Sequence, residues 1–354
     1  MRGLAGRFVR SRSGSFTPIL IFAMMPIIAA IGFSVDYTSA VQTRSDMQSA
    51  LDAGILSITT MATTSTLAQR QVVLQDSFAA NGAPTGATAT LNSFVVGTDG
   101  TATAQATANY SMPTVFMQIA RINTVPVAVA SAVSKSPALV QTTFKVTGVS
   151  GYWNKTMTLY GTQFGATVAK PLMTINYTYG NTKDPKGYGT TTVNTITNSG
   201  GQDVTTMVQK QVCSVGNNPP NGVSVKTDAS GTKYYCVDTM YPSTGSGAVI
   251  DVSQMSGLYL QMDVPSGNPT KLMSNDPNTS NRLYNGVSAN GLTEIATGQN
   301  VDIFSIVPCG IPGYQAWEDG GNAVPAPASN ADFFYTVTGK CDFNKRPSET
   351  LLTQ

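Results

Sequence analysis

The chain has 354 residues, enough for two domains and a sizeable core, and a formal net charge of +2, which gives no strong electrostatic preference for nucleic acid. Charged residues make up only 11% of it, against a usual ~25%, and Thr, Ser, Asn and Gly take their place. There is no histidine, which excludes the commonest general base, the commonest metal ligand and every Ser-His or Cys-His arrangement.

Residues 1–14 carry Arg2, Arg7, Arg10 and Arg12 and no acid. Residues 16–35, FTPILIFAMMPIIAAIGFSV, carry no charge, and twenty such residues span ~30 Å as a helix, the depth of a bilayer's hydrocarbon core. The arginines on the first flank predict a cytoplasmic N-terminus and a single-pass anchor, with nearly all the rest outside. These arginines also reach anionic lipid heads, but their topogenic role needs no further function. A cleaved leader competes with the anchor, because Ala30-Ile31-Gly32 is a small-x-small site. A leader's apolar stretch is usually shorter, at ~7–15 residues. A buried core helix is disfavoured by the lack of any polar face. Pro18 is tolerated near the start of the span, and the central Pro26 predicts a kink.

Beyond the span, Tyr37, Ala40, Met47, Leu51, Ile55 and Ile58 recur at three- and four-residue steps, with Arg44 interrupting the row. That spacing predicts an amphipathic extension, and one helix from about Ser15 to about Thr60, ~65 Å long at ~1.5 Å per residue. Gly54 weakens it locally. The apolar stripe must pack either on the chain's own downstream domain or on a neighbouring helix in an assembly.

Gly14-Ser15-Phe16, Ile21-Phe22-Ala23-Met24-Met25-Pro26, Gly32-Phe33-Ser34-Val35-Asp36-Tyr37, Arg44 and Gln48-Ser49-Ala50-Leu51-Asp52-Ala53 together resemble the N-terminal segment of TadE/TadG-like proteins of bacterial Tad (Flp) pilus-assembly systems. The resemblance covers residues 14 to about 60. It rests on a Pro in the span, Val-Asp-Tyr at its exit and the Gln48 to Asp52 run on the same helix. It implies a bacterial inner-membrane protein with a periplasmic or extracellular body. It also implies a role in building or secreting a thin adhesive pilus, for which contacts with other pilus-assembly proteins through the outer helix are expected; with no catalytic motif in the chain, neither catalysis nor a cofactor is expected. TadE-like pseudopilins usually carry a Glu shortly after the processing Gly; here Ile19 is the fifth residue after Gly14, so the TadG-like branch fits better. Many TadG-like proteins also carry a von Willebrand A domain with an Asp-x-Ser-x-Ser metal motif. The nearest strand, Phe144 to Gly151, lacks the Asp, so no metal site is carried over.

The body opens with a small α+β region over 63–138. Residues 66–80 predict a short helix ended by Asn81-Gly82 and Pro84, and Ala87 to Val96 and Thr101 to Tyr110 predict strands around the Asp99-Gly100 turn. Ser111-Met112-Pro113 opens a second helix through Ile119, and Val125 to Val133 is a third strand. Ser136-Pro137-Ala138 reads as a boundary.

Residues 139–354 read as an extracytoplasmic all-β sandwich or irregular β domain. Phe144/Val146, Met157/Leu159, Leu258 to Val264, Val301 to Ile306 and Asp332 to Val337 supply strands, and polar loops fill 180–202, 214–232 and 265–290. The fold class is thus α+β: a transmembrane helix extended to residue 62, a small α+β layer and a C-terminal all-β domain. Cys213, Cys236, Cys309 and Cys341 all lie in the last part, and an even, exported count predicts two disulfides. Proximity favours Cys213–Cys236 and Cys309–Cys341; free buried thiols are the alternative, and no pair has zinc spacing. Glu318-Asp319 before Gly320-Gly321 offers calcium ligands or an acid pair, but such a run is more often a solvated turn. Asp184-Pro185-Lys186-Gly187 and Asp276-Pro277 are also turns. Tyr314, Trp317, Phe333, Phe334 and Tyr335 form either a glycan platform or, more simply, a core aromatic cluster. No motif points to a catalytic residue, though an acid pair of distant carboxylates leaves no motif.

Overall fold

The computed structural model describes residues 16–180, 187–228, 230–321, 323–346 and 349–353. It contains a long apolar helix, a second helix and three antiparallel sheets, and so is α+β with a mostly β C-terminal part. The chain divides into two compact units. The first runs to Val96 and adds Thr101–Ser136 and the residues from Glu349 on; the second takes Gly97–Gly100 and Pro137–Ser348.

In the first unit, α1 (Phe16–Ile58) continues through Pro26 without a break. Among the described residues it is the one helix long and apolar enough to cross a membrane. A short link leads to α2 (Leu67–Ala80), whose start is set by a capping box: Thr66 accepts from the Gln69 amide, and the Gln69 side chain accepts from the Thr66 amide. Three strands follow, β1 (Thr88–Val96), β2 (Ala102–Pro113) and β3 (Thr124–Lys135), in the order β1-β2-β3, and the C-terminal strand Thr350–Leu352 closes the far edge beside β3. That last pairing has no local sequence signal.

Helix and sheet meet over one core. Met47, Ala50, Leu51, Ile55 and Ile58 of α1 and Leu74 and Phe78 of α2 are buried against Ala104, Ala106, Ala108, Val127 and Val129. Alanine at every second position of β2 gives a shallow inner face on which the helix lies close. Fully burying each large apolar side chain contributes about 1.5–3 kcal/mol. Gly54, a weak helix former, has a packing reason: an added Cβ would lie 3.1 Å from Leu74 Cδ1. The open edge of β1 is covered by α2. Gln71 donates to Ala89 O and accepts from Leu91 N, while Gln75 donates to Ala87 O and accepts from Ala89 N. Two glutamines thus stand in for a neighbouring strand.

The expected helix at Ser111-Met112-Pro113 is absent. β2 keeps pairing with β3 up to Pro113 opposite Thr124, and only a single 3-10 turn, Met117–Ala120, caps the hairpin.

The second unit is a sandwich. One sheet has six strands: β11 (Ala248–Asp251), β4 (Ala138–Val149), β17 (Phe333–Asp342), β16 (Pro312–Trp317), β14 (Leu283–Gly286) and β15 (Thr293–Glu294), in that order. The other has eight: β13 (Lys271–Met273), β12 (Met255–Asp263), β5 (Lys155–Gln163), β6 (Lys170–Tyr179), β7 (Gly189–Ser199), β8 (Gln202–Val215), β10 (Lys233–Met240) and β9 (Lys226–Thr227). Inward residues of both sheets, among them Phe144, Val146, Met157, Leu159, Ile175, Leu258, Leu260, Met262, Phe333 and Tyr335, make one core. β11 covers β4 only as far as Phe144. Beyond that point the buried Gln209 of β8 accepts from Val146 N and donates to Val146 O, satisfying a backbone edge that has no strand there.

Four loop or strand expectations fail. Residues 180–202 include β7, a full central strand; its Thr-rich polar look hides β-branched residues that pack well in a sheet. The polar loops 214–232 and 265–290 likewise contain β9, β13 and the whole of β14. Val301 to Ile306 is not a strand. Asp302 accepts from Phe304 N and Leu258 N, and this side-chain cap turns Ile303–Ser305 into a 3-10 turn.

Candidate functional site

The polar residues singled out on α1 dock the helix onto its own domain. Asp36, at the end of the apolar span, is buried, and its carboxylate accepts from three consecutive amides: Val115 at 3.0 Å, Phe116 at 2.8 Å and Met117 at 2.6 Å. These amides open the 3-10 turn of the β2–β3 hairpin, where N–H groups converge without backbone partners. One turn earlier, Gly32 leaves room for Phe116; an added Cβ would lie 2.7 Å from Phe116 Cβ. One turn beyond Arg44, Gln48 donates to Asp52 Oδ1 and to Ala130 O, each at 2.9 Å, and Ser131 Oγ donates to the same Asp52 oxygen at 2.6 Å. Gln48 and Asp52, four residues apart on one face, thus bind β3.

The helix's C-terminal end has no basic residue of its own. Buried Arg70 of α2 supplies the charge, donating to Ile58 O at 2.5 Å and Ala62 O at 2.7 Å while stacking 3.8 Å over Phe94. Lys135 of β3 donates to Thr59 O at 3.2 Å. Burial lowers the pKa of both cations. Carbonyls left open at a helix end favour such donors. A signal for Arg70 was present, since it keeps helical step with Leu74 and Phe78.

Tyr37 departs from the expected stripe. It is 67% exposed, and the fully buried apolar residues of α1 start at Met47. The stripe offered to neighbouring pilus-assembly proteins through the outer helix is therefore already covered between Met47 and Ile58 by α2 and the sheet. What stays uncovered lies earlier, in exposed apolar side chains such as Phe22, Met25, Ile31 and Val41. Gly14 and the N-terminal arginines lie outside the described residues, as does the turn at Asp184 to Lys186.

In the second unit, Glu318 and Asp319 do not form a solvated turn; they are 0% and 5% exposed. Lys155 Nζ lies 2.5 Å from Asp319 Oδ2 and 4.0 Å from Asp332 Oδ2, and donates to Ser150 O at 2.9 Å. Arg282 pairs with Glu318, which also accepts from Gly320 N and Gly321 N. Glu318, Asp319 and Asp332 bring carboxylate oxygens within 4.8 Å of one another. Lys155 and Arg282 already pair with these carboxylates, so the set reads as a buried ionic network rather than a calcium cradle. Lys155 also carried a signal: it shares the inward face of β5 with Met157 and Leu159. Asp276-Pro277 is a turn in which Asp276 Oδ1 accepts from Asn278 N.

Trp317, Phe333 and Tyr335 are core residues, which removes a glycan platform built on them. Trp317 Nε1 donates to Tyr335 Oη, and Tyr335 Oη donates to Gln315 Oε1. Complete burial raises the Tyr335 phenol far above its ordinary range. Tyr314 and Phe334 are half-buried. The disulfides are Cys213–Cys236, which ties β8 to β10, and Cys309–Cys341, which ties the segment before β16 to β17. A cleft of about 310 Å³ opens beside the first of these, lined by Tyr188 and Tyr234 stacked at 4.4 Å, Asp228, Lys226 and Phe334.

Comparison with curated proteins and with solved structures finds no match for the chain. Residues 14–57 match the model of a family described as putative Flp pilus-assembly TadE/G-like. The match ends one residue short of the last residue of α1 and takes in the span, Asp36, Gln48 and Asp52. The chain therefore carries a TadE/G-like Flp pilus-assembly domain, in the form of a membrane-capable helix built to dock on the sheet that follows it.

Proposed function

We propose that this chain is a membrane-anchored, non-catalytic component of Tad (Flp) pilus assembly or secretion that acts through protein–protein contacts. The observation that carries this reading is the use made of the matched segment's polar residues. Asp36, Gln48 and Asp52 accept or donate within their own unit, fastening the helix to the β2–β3 hairpin and to β3. The span anchors, the first unit braces the helix, and the disulfide-tied sandwich projects outward into the periplasm or beyond the cell. The arginine-rich first flank supports a cytoplasmic N-terminus, and the two disulfides support an oxidising compartment for the body.

A C-terminally tagged chain, fractionated, weighed and probed with a thiol reagent before and after reduction, tests the reading. An intact, membrane-bound, outward-facing chain with no reactive thiol, co-isolating with other pilus-assembly proteins, is the expected result. Cleavage near Gly14 would instead make it a pilin-like subunit entering the fibre. A soluble chain cut near Gly32 would make it a secreted binding protein.

A second reading, an anchored binding module for glycan or cell wall, draws on the cleft beside Cys213–Cys236. Its stacked Tyr188–Tyr234 pair next to Asp228 and Lys226 combines apolar faces with polar tips, the usual lining of a small-ligand site. Glycan binding by the full chain that is lost in Tyr234→Ala would favour this reading over the first.

A further inference from the structure

We propose that the tip of the β2–β3 hairpin, residues 114–123, is a second membrane contact that lies in the headgroup region of the same bilayer the long helix crosses. The inference rests on the anchor reading and adds to it the depth and attitude of the first unit.

The argument starts from height along the helix. If residues 16–35 fill the hydrocarbon, Gly32 lies three residues, or about 4.5 Å, inside the outer boundary. Phe116 is packed directly against Gly32, and the Asp36 carboxylate grips the Val115, Phe116 and Met117 amides at the boundary itself. The hairpin tip is thus held at the depth where headgroups meet acyl chains, and the span cannot be inserted without carrying the tip there.

The composition of the tip suits that place. Val115, Ile119 and Ile122 are 66%, 75% and 46% exposed, an unusual display for so short a loop in a water-facing position. Between Asp99 and Asp184 the sequence has no acidic residue, so the tip brings no carboxylate of its own against anionic headgroups, and the Asp36 carboxylate it holds is buried. Arg121 is exposed beside the isoleucines and holds the left-handed conformation that closes the 3-10 turn. Its long side chain suits a phosphate above while the isoleucines enter below. Tyr37, exposed one residue past Asp36, is the kind of aromatic that marks such a boundary. Backbone polar groups at this depth must be satisfied, and the tip meets that demand: Thr114 N donates to Asn123 O, Ile119 N to Phe116 O, and Arg121 N to Gln118 O.

The test places single labels on the full chain in vesicles of mixed zwitterionic and anionic lipid. Ile119→Cys, Met25→Cys and Val95→Cys, each carrying an environment-sensitive fluorophore, report the tip, the span and an exposed strand position on β1. Disulfide content and protease resistance confirm folding. The expected result is blue-shifted Ile119→Cys emission that loses most of its intensity to spin-labelled lipids quenching at a shallow depth, about 5–10 Å into the boundary. Met25→Cys is quenched at depth and Val95→Cys is not quenched. Quenching at Met25→Cys with water-like emission at Ile119→Cys would overturn the proposal and leave the anchor standing. Water-like emission at both would overturn both. Blue-shifted emission at Ile119→Cys that lipid quenchers do not reach would mean that a second protein surface, not lipid, covers the tip, and would also overturn it.

Discussion

Asp36→Asn keeps the size of a residue that holds helix and hairpin together and removes its charge and one of its two acceptor oxygens. The single amide oxygen can face Phe116 N and Met117 N, which now share Oδ2, but the amide's own N–H then points at Val115 N, now 3.0 Å from Oδ1. A hydrogen bond to a charged group contributes about 1.5–3 kcal/mol and a neutral one about 0.5–1.5, so the two retained bonds each weaken by about 1 kcal/mol. The third is lost and leaves a donor unpaired, at about 1–3 kcal/mol. The total is about 3–5 kcal/mol, charged locally to the opening of the hairpin tip away from α1. Amide hydrogen exchange on the full chain in a bilayer mimic reads that opening directly. At about 1.4 kcal/mol per decade, even the lower figure speeds exchange at Val115, Phe116 and Met117 by about 100-fold, while amides of β12 stay unchanged. Unaltered exchange at those three amides in the Asn variant would refute the assignment of Asp36 as the docking residue.

Other perturbations follow the same logic. Arg70→Met removes two charge-assisted bonds from the end of α1, for an expected cost of about 3 kcal/mol; it is checked by faster exchange across residues 55–61 with the apolar span unaffected. Lys155→Met strands Asp319 and Asp332 in the sandwich and should destabilise the second unit by about 3–5 kcal/mol, seen as a lower melting midpoint in calorimetry; adding Asp319→Asn should recover part of that loss, which a purely steric effect of the methionine would not allow. The hydroxyl of Ser230, with further bonds from the Thr232 amide and Tyr188, holds the Asp228 carboxyl below its ordinary range against the opposing effect of burial. A depressed carboxyl contributes stability above its unfolded value of about 3.9 and loses it as pH falls through the folded value, so carbon NMR of Asp228 should titrate below about 3.9 and move upward in Ser230→Ala.

Much of the first unit was legible because its signals are local. Twenty uncharged residues, an i, i+4 apolar row from Met47 to Ile58, a Thr66/Gln69 capping box and strands split by Asp99-Gly100 each act within a few residues. The errors fall where a local preference lost to a neighbour. Ser111-Met112-Pro113 resembles a helix start, but β3 continues the ladder past it. The Thr-rich run at β7 resembles a loop until two strands are supplied to flank it. Val301 to Ile306 resembles a strand until the Asp302 side chain takes the Phe304 amide.

The candidate site shows the same division. Asp36, Gln48 and Asp52 stood out by the spacing they share with a family pattern, but their partners are amides, a carbonyl and a hydroxyl 79 to 82 residues away, which no spacing encodes. Glu318 and Asp319 looked solvated because carboxylates before Gly-Gly usually are; Lys155 and Arg282, 164 and 36 residues distant, reverse that by making burial electrically tolerable.

By itself, then, the sequence determined the membrane-capable span, the extended helix, the β-rich body and a cysteine set suited to two bridges, all of which follow from hydrophobic period, length and composition. Tertiary structure alone decided what the long helix packs on, which backbone groups its carboxylates satisfy, that the C-terminal strand returns to the first sheet, and that the hairpin tip lies level with the end of the span. The physical reason is that a pattern states which face of an element must be buried or satisfied, whereas the partner that does so is chosen by the fold from the whole chain.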